Sequence, residues 1–138
     1  MKKLIFLLII GLLLTFAACS AATVDDSHGP NNLTPSWQTI SATEAQQMMA
    51  ELDSFVLLDV RTEAEFQAGR IAGAVLIPHD EIRSRAEGEL GDKDAVILLY
   101  CRSGRRSAEA AAALAALGYA HVYDFGGILG WPYETVRG

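Results

Sequence analysis

The 138-residue chain is predicted to fold as an α/β domain, a mostly parallel five-stranded sheet with helices on both faces. Three observations predict it. Short apolar runs alternate with capped, helix-forming segments from Trp37 onward. The connections between them are short. The most apolar run, Ala95–Tyr100, shows no polar alternation, as expected of a strand covered on both faces.

Taken in order, Trp37–Ile40 reads as a first short strand. Ser41 and Glu44 have capping-box spacing, and Met48, Met49 and Leu52 give the helix that follows an apolar face. Phe55–Val60 is a second buried strand, interrupted by Asp59. Thr62 and Glu65 repeat the capping box over a short helix ending at Gly69. Ala74–Ile77 is a third strand closed by Pro78, and His79–Glu87 reads as a helix with Ile82 turned inward. A Gly-, Glu- and Asp-rich loop leads to Ala95–Tyr100, the expected central strand. Ser107–Leu117 is alanine-rich, hence helical, and stops at Gly118. His121–Phe125 is the last strand, and Gly126-Gly127 leads into a short terminal helix cut off near Pro132. Ligands of such sheets bind beyond the carboxyl ends of the strands.

The expected domain occupies residues 36–138. Ahead of it, Met1-Lys2-Lys3 is a positive n-region and Leu4–Ala18 an apolar stretch of secretory length, shorter than the roughly twenty residues of a membrane span. Residues 1–18 are therefore read as a signal peptide. Phe16-Ala17-Ala18-Cys19-Ser20 resembles a bacterial lipoprotein signal, which implies cleavage before Cys19 and lipidation of that cysteine. Ordinary cleavage after Ser20-Ala21-Ala22 is the alternative. Residues 19–35 are polar and rich in turn formers, and are read as a lipidated N-terminus and flexible tether, with His28 a solvent-facing residue. The expected location is the bacterial cell envelope, anchored by lipid to a membrane and facing the periplasm in a Gram-negative cell.

Setting Lys2 and Lys3 aside from the 11 Lys and Arg leaves nine basic residues against 17 acidic ones. An acidic body argues against nucleic-acid binding, which depends on phosphate neutralisation. Three of the nine, Arg102, Arg105 and Arg106, crowd one loop, which points to a small anionic substrate. With Cys19 lipidated, Cys101 is the only free thiol of the chain, and exported proteins ordinarily use cysteines in bridges. Cys101 follows the central strand, and a tight loop joins it to the helix expected from Ser107. A thiol at the positive end of a helix, among N–H groups and arginines, favours the nucleophilic thiolate. No Cys/His cluster has metal-ligand spacing, so neither metal nor other cofactor is expected.

Leu58-Asp59-Val60-Arg61, Glu65-Phe66, Gly69-Arg70-Ile71 and Gly73-Ala74 through Pro78 resemble the first signature of the rhodanese-like sulfurtransferases. Cys101-Arg102-Ser103-Gly104-Arg105-Arg106-Ser107 is similar to that family's active-site loop, and the segment from Tyr119 to Trp131 to its closing segment. Arg70 stands where the family commonly has histidine, a change expected to alter a surface contact. The resemblance implies thiosulfate sulfurtransferase activity. The Cys101 thiolate takes a sulfane sulfur from a small anionic donor, and the persulfide passes it to a thiol or cyanide, or to an acceptor protein.

In that chemistry the loop N–H groups from Arg102 to Ser107, Ser103 among them, stabilise thiolate and persulfide. Gly104 permits a turn with positive φ. Arg102 and Arg105 meet a dianionic donor. Arg106 either lines the pocket or pairs with an acidic residue beneath it, and Ser107 caps the following helix or reaches the persulfide. Asp59 and Arg61 read as structural, ion-paired with Glu65 or the loop. His79 and His121 read as bystanders. Two other functions share these residues: a tethered persulfide carrier without fast turnover, and a cysteine phosphatase or arsenate reductase. Against the latter, four residues separate Cys101 from Arg106, one fewer than in phosphatase loops of that type.

Overall fold

A computed structural model describes residues 36–138. The expected signal peptide, the lipidation site Cys19, and the tether with His28 lie outside the described residues. Five strands, β1 (Gln38–Thr39), β2 (Val56–Asp59), β3 (Val75–Leu76), β4 (Val96–Cys101) and β5 (His121–Gly127), form one sheet in the order β1-β5-β4-β2-β3. All four neighbouring pairs are parallel, so the run expected to be central, β4, lies in the middle of the sheet.

Four helices connect the strands: α1 (Ala42–Glu51), α2 (Glu63–Ala68), α3 (Ile82–Glu89) and α4 (Arg105–Ala116). Both expected capping boxes form. The Ser41 hydroxyl accepts the Glu44 N–H at 3.1 Å, and the Thr62 hydroxyl accepts the Glu65 N–H at 3.3 Å. In each case the glutamate carboxylate reaches back to the cap N–H, satisfying two donors the helix cannot.

Along β4 successive side chains point to opposite faces. Ile97, Leu99 and Cys101 join Ile82 and Ala86 of α3 and Ala110, Ala111 and Leu114 of α4 in one core. Leu98 and Tyr100 join Ala45 of α1, Ile71, Phe125 and Trp131 in the other. The small alanines of α4 let that helix lie close on the sheet. Burying each large aliphatic side chain stabilises the fold by roughly 1.5–3 kcal/mol. This period-two pattern is what turns the Cys101 sulfur toward α4.

Three element boundaries differ from the sequence expectation. Helix α3 begins at Ile82 rather than His79: a turn closed by the Glu81 N–H on the Pro78 carbonyl at 2.9 Å precedes it, and the Arg85 N–H bonds the Glu81 carbonyl at 3.0 Å where the helix starts. Helix α4 begins at Arg105 rather than Ser107, with Gly104 as its N-cap at a φ of +109°. The expected terminal helix shrinks to a single 3-10 turn at Ile128–Gly130. Beyond it the chain bends at Tyr133, and Val136 makes an antiparallel bridge to Arg70 through two backbone bonds of 2.8 Å.

Candidate active site

Cys101 is the last residue of β4 and is 1% exposed. The chain turns at Gly104, where a left-handed backbone suits only glycine without strain, and α4 begins at once. The turn brings the Gly104 N–H to 3.0 Å from the Cys101 Sγ. Burial pushes the thiol up. Hydrogen bonds from the Ser107 hydroxyl and from the N–H groups of Ser107, Gly104 and Ser103 outweigh it and hold the group below the ordinary thiol value. A sulfur that carries negative charge, as thiolate or persulfide, is what these donors fit.

The three arginines of the loop have three different situations. Arg106 donates to both carboxylate oxygens of Glu65 at 2.8 Å, so of the two roles left open for it, pairing beneath the loop is the one observed. The Arg106 bonds, opposed by burial and helped by the Thr62 N–H and hydroxyl, hold the Glu65 carboxyl down to about 2. Arg105 pairs with Glu109 one turn along α4 at 2.7 Å. Arg102 is exposed and makes no ion pair among the described residues.

Ser107 lies in the first turn of α4 and does not cap it, which corrects the expectation. The N-cap position belongs to Gly104, and Ser107 is fully buried. Its hydroxyl lies 3.0 Å from the Gly104 carbonyl and 3.1 Å from that of Gly126, and its single proton can also turn to Sγ.

Asp59 and Arg61 form a buried ion pair with each other, Nη2 to Oδ2 at 2.6 Å, and Arg61 also bonds the Gly69 carbonyl at 2.7 Å. The pair is structural as expected, but Glu65, its expected partner, belongs to Arg106. Arg70 stacks over Phe66 at 4.5 Å, a surface role in keeping with its place outside the loop. His79 is 3.9 Å from Glu109, and His121 is exposed at the start of β5.

A groove of about 470 Å3 opens beside the loop, with Arg61, Arg102, Leu129, Trp131, Tyr133 and Thr135 in its wall. Arg61 is consumed by Asp59, which leaves Arg102 as the cation with charge to spare. Two participants escaped the sequence reading: Asp124, buried behind the loop, and Gly127, which touches it. The Gly126-Gly127 pair after a strand was a visible signal for the second. Nothing in the sequence marked the first.

Comparison with known proteins places these features in context. The family model for the rhodanese-like domain matches residues 41–133. The thiosulfate sulfurtransferase PspE of Escherichia coli is 33% identical over 81 residues, covering 59% of this chain and 78% of that protein. A sulfurtransferase of Allochromatium vinosum is 39% identical over 93 residues, covering 67% of this chain and 85% of that protein. Among solved structures, an Escherichia coli rhodanese described with anions aligns at a TM-score of 0.58 and 32% identity, over 62% of this chain and all of that one.

Proposed function

Because the chain belongs to the rhodanese-like family and resembles its sulfurtransferases, we propose that it moves a sulfane sulfur from thiosulfate, or a similar small anion, to a thiol or cyanide through a persulfide on Cys101. The observation that carries this is the N–H group of Gly104 at 3.0 Å from a sulfur whose acidity the Ser103, Gly104 and Ser107 donors raise.

In the first step the Cys101 thiolate attacks the outer sulfur of thiosulfate. A sulfur–sulfur bond forms to Cys101, the bond to the sulfonate sulfur breaks, and the electron pair leaves with sulfite. The anionic persulfide occupies the same N–H cradle. In the second step an acceptor thiolate attacks the outer sulfur and regenerates the Cys101 thiolate, or cyanide does so and leaves as thiocyanate. Two displacements replace one, with ping-pong kinetics as the signature. Arg102 supplies the charge that meets the donor dianion. Arg105, held by Glu109, contributes less.

The test is thiocyanate formation from thiosulfate and cyanide, lost in Cys101→Ser. Appreciable hydrolysis of an aryl phosphate by the same sulfur would instead return the phosphatase reading. A persulfide carrier serving one protein is a second reading, favoured by Leu129, which is 72% exposed beside Arg102. Slow turnover with every small acceptor, after stoichiometric sulfur uptake, would select it.

Export and anchoring are part of the same reading. Lys2-Lys3, the apolar run and Cys19 support a lipid-anchored envelope protein. Metabolic labelling with a fatty acid, lost in Cys19→Ser, tests it.

A further inference from the structure

The loop that carries the nucleophile is backed by β5, so closely that no side chain fits at Gly127. Pairing of β4 with β5 runs through Leu99↔Asp124, then slips and resumes at Cys101↔Gly127. Phe125 and Gly126 therefore stand against Tyr100 alone, a bulge at the rim of the site, where bulges commonly re-aim the chain. The Asp124 carboxylate spans this bulge, with Oδ1 accepting the Gly126 N–H at 2.9 Å, while Gly126 adopts a φ of +87°.

The bulge touches the loop at several points. A Cβ on Gly127 would lie 2.2 Å from the Arg102 carbonyl oxygen and 2.5 Å from the Ser103 Cα, so backbone meets backbone there. The Gly126 carbonyl is 3.1 Å from the buried Ser107 hydroxyl, and the Leu129 N–H bonds the Arg102 carbonyl at 3.2 Å. Asp124 itself is only 3% exposed. A carboxylate is costly to bury, and no cation pairs with this one among the described residues. An apolar β-branched residue would fill a strand position at no such cost. The Gly126 N–H and the Ser107 hydroxyl are the donors it gains in exchange.

We infer that Asp124 is a positioning residue for Cys101: by holding the Gly126 N–H it fixes the β5 bulge, and the bulge fixes the direction from which the Ser103, Gly104 and Ser107 donors meet the sulfur. This rests on Cys101 being the nucleophile. It concerns the hydrogen-bond acceptor at position 124 rather than its charge. The charged groups near Cys101 on the other side are Arg106 and its partner Glu65, which Asp124 does not touch.

The experiment is the rate of iodoacetamide alkylation of Cys101 against pH in the purified full chain, for wild type, Asp124→Ala and Asp124→Asn. Asp124→Ala is expected to slow alkylation at neutral pH by about tenfold and move the midpoint upward. Asp124→Asn still offers an oxygen to the Gly126 N–H and is expected to stay within about twofold of wild type. An alanine variant with the wild-type rate and midpoint, whatever its melting temperature, would overturn the proposal. So would an asparagine variant as impaired as the alanine one, because charge would then be the operative property. Should Asp124→Ala not fold, Asp124→Val, a strand former of similar volume, reads the same quantity. Alkylation needs no sulfur donor, so failure of the sulfur-transfer reading would appear separately, as wild-type protein that alkylates normally but takes up no sulfur.

Discussion

Arg106, in the first turn of α4, grips Glu65 of α2 through two hydrogen bonds of 2.8 Å across 41 residues of sequence. The same carboxylate closes the Thr62 capping box. One side chain thus starts a helix and holds the arginine that stands next to the donors around Cys101.

The pair sets a pH dependence. The folded Glu65 carboxyl, held down to about 2, lies below its unfolded value of about 4.3. A lowered carboxylate stabilises fully above the unfolded value, and that contribution is lost as pH falls through the folded one. Because the pair is partly solvated, Glu65→Gln is expected to cost about 1–2 kcal/mol at neutral pH. The difference between wild type and variant in urea denaturation should shrink steadily between about pH 4 and pH 2. A difference that is constant over that range would show that Glu65 acts by packing.

The two exposed arginines of the loop should separate kinetically. Arg102→Ala removes an uncommitted cation and is expected to raise KM for thiosulfate by about tenfold, the weight of one charge-assisted contact. Arg105→Ala removes a surface pair with Glu109 and should change KM by less than about threefold. Steady-state kinetics with cyanide as acceptor measures both. Equal losses would mean that Arg105 leaves Glu109 to meet the donor.

Ser107→Ala is expected to raise the alkylation midpoint of Cys101 while leaving the helix start at Gly104 intact. The hydroxyl is one of the donors that oppose the effect of burial on the thiol. An unchanged midpoint would assign the acidity to backbone donors alone.

Gly127→Ala tests the closeness of strand and loop. Its backbone is ordinary extended chain, φ −126°, so any loss is steric. With Arg102 and Ser103 backbone atoms in the way of a Cβ, the substitution should destabilise by about 2–3 kcal/mol. Donor N–H groups would shift with the loop, so activity is expected to fall further than stability does. Full activity in a folded variant would contradict this.

Much of the fold was legible because its signals are local. The two capping boxes, the apolar runs of β2 and β4 and the stop at Gly118 each depend on neighbours a few residues away. Where the reading slipped, a distant contact had decided. Ser107 has the side chain of an N-cap, but Gly104 turns the chain three residues earlier, and the hydroxyl is used against the Gly126 carbonyl of β5. His79 stands before α3, in a turn tied to the end of β2 through its N–H on the Val60 carbonyl. The role of Arg106 rests on Glu65, which only the folded chain brings near, and that of Asp124 on a bulge that forms only where β5 pairs with β4. Cys101 and its loop could be found in the sequence since strand, glycine turn and helix are contiguous there.

The most direct test of sulfur transfer is the intact mass of the purified protein after incubation with thiosulfate. A gain of one sulfur atom, absent in Cys101→Ser and reversed by cyanide or a thiol, is the expected result. An unchanged wild-type mass, under conditions where iodoacetamide still alkylates Cys101, would contradict a persulfide mechanism from this donor.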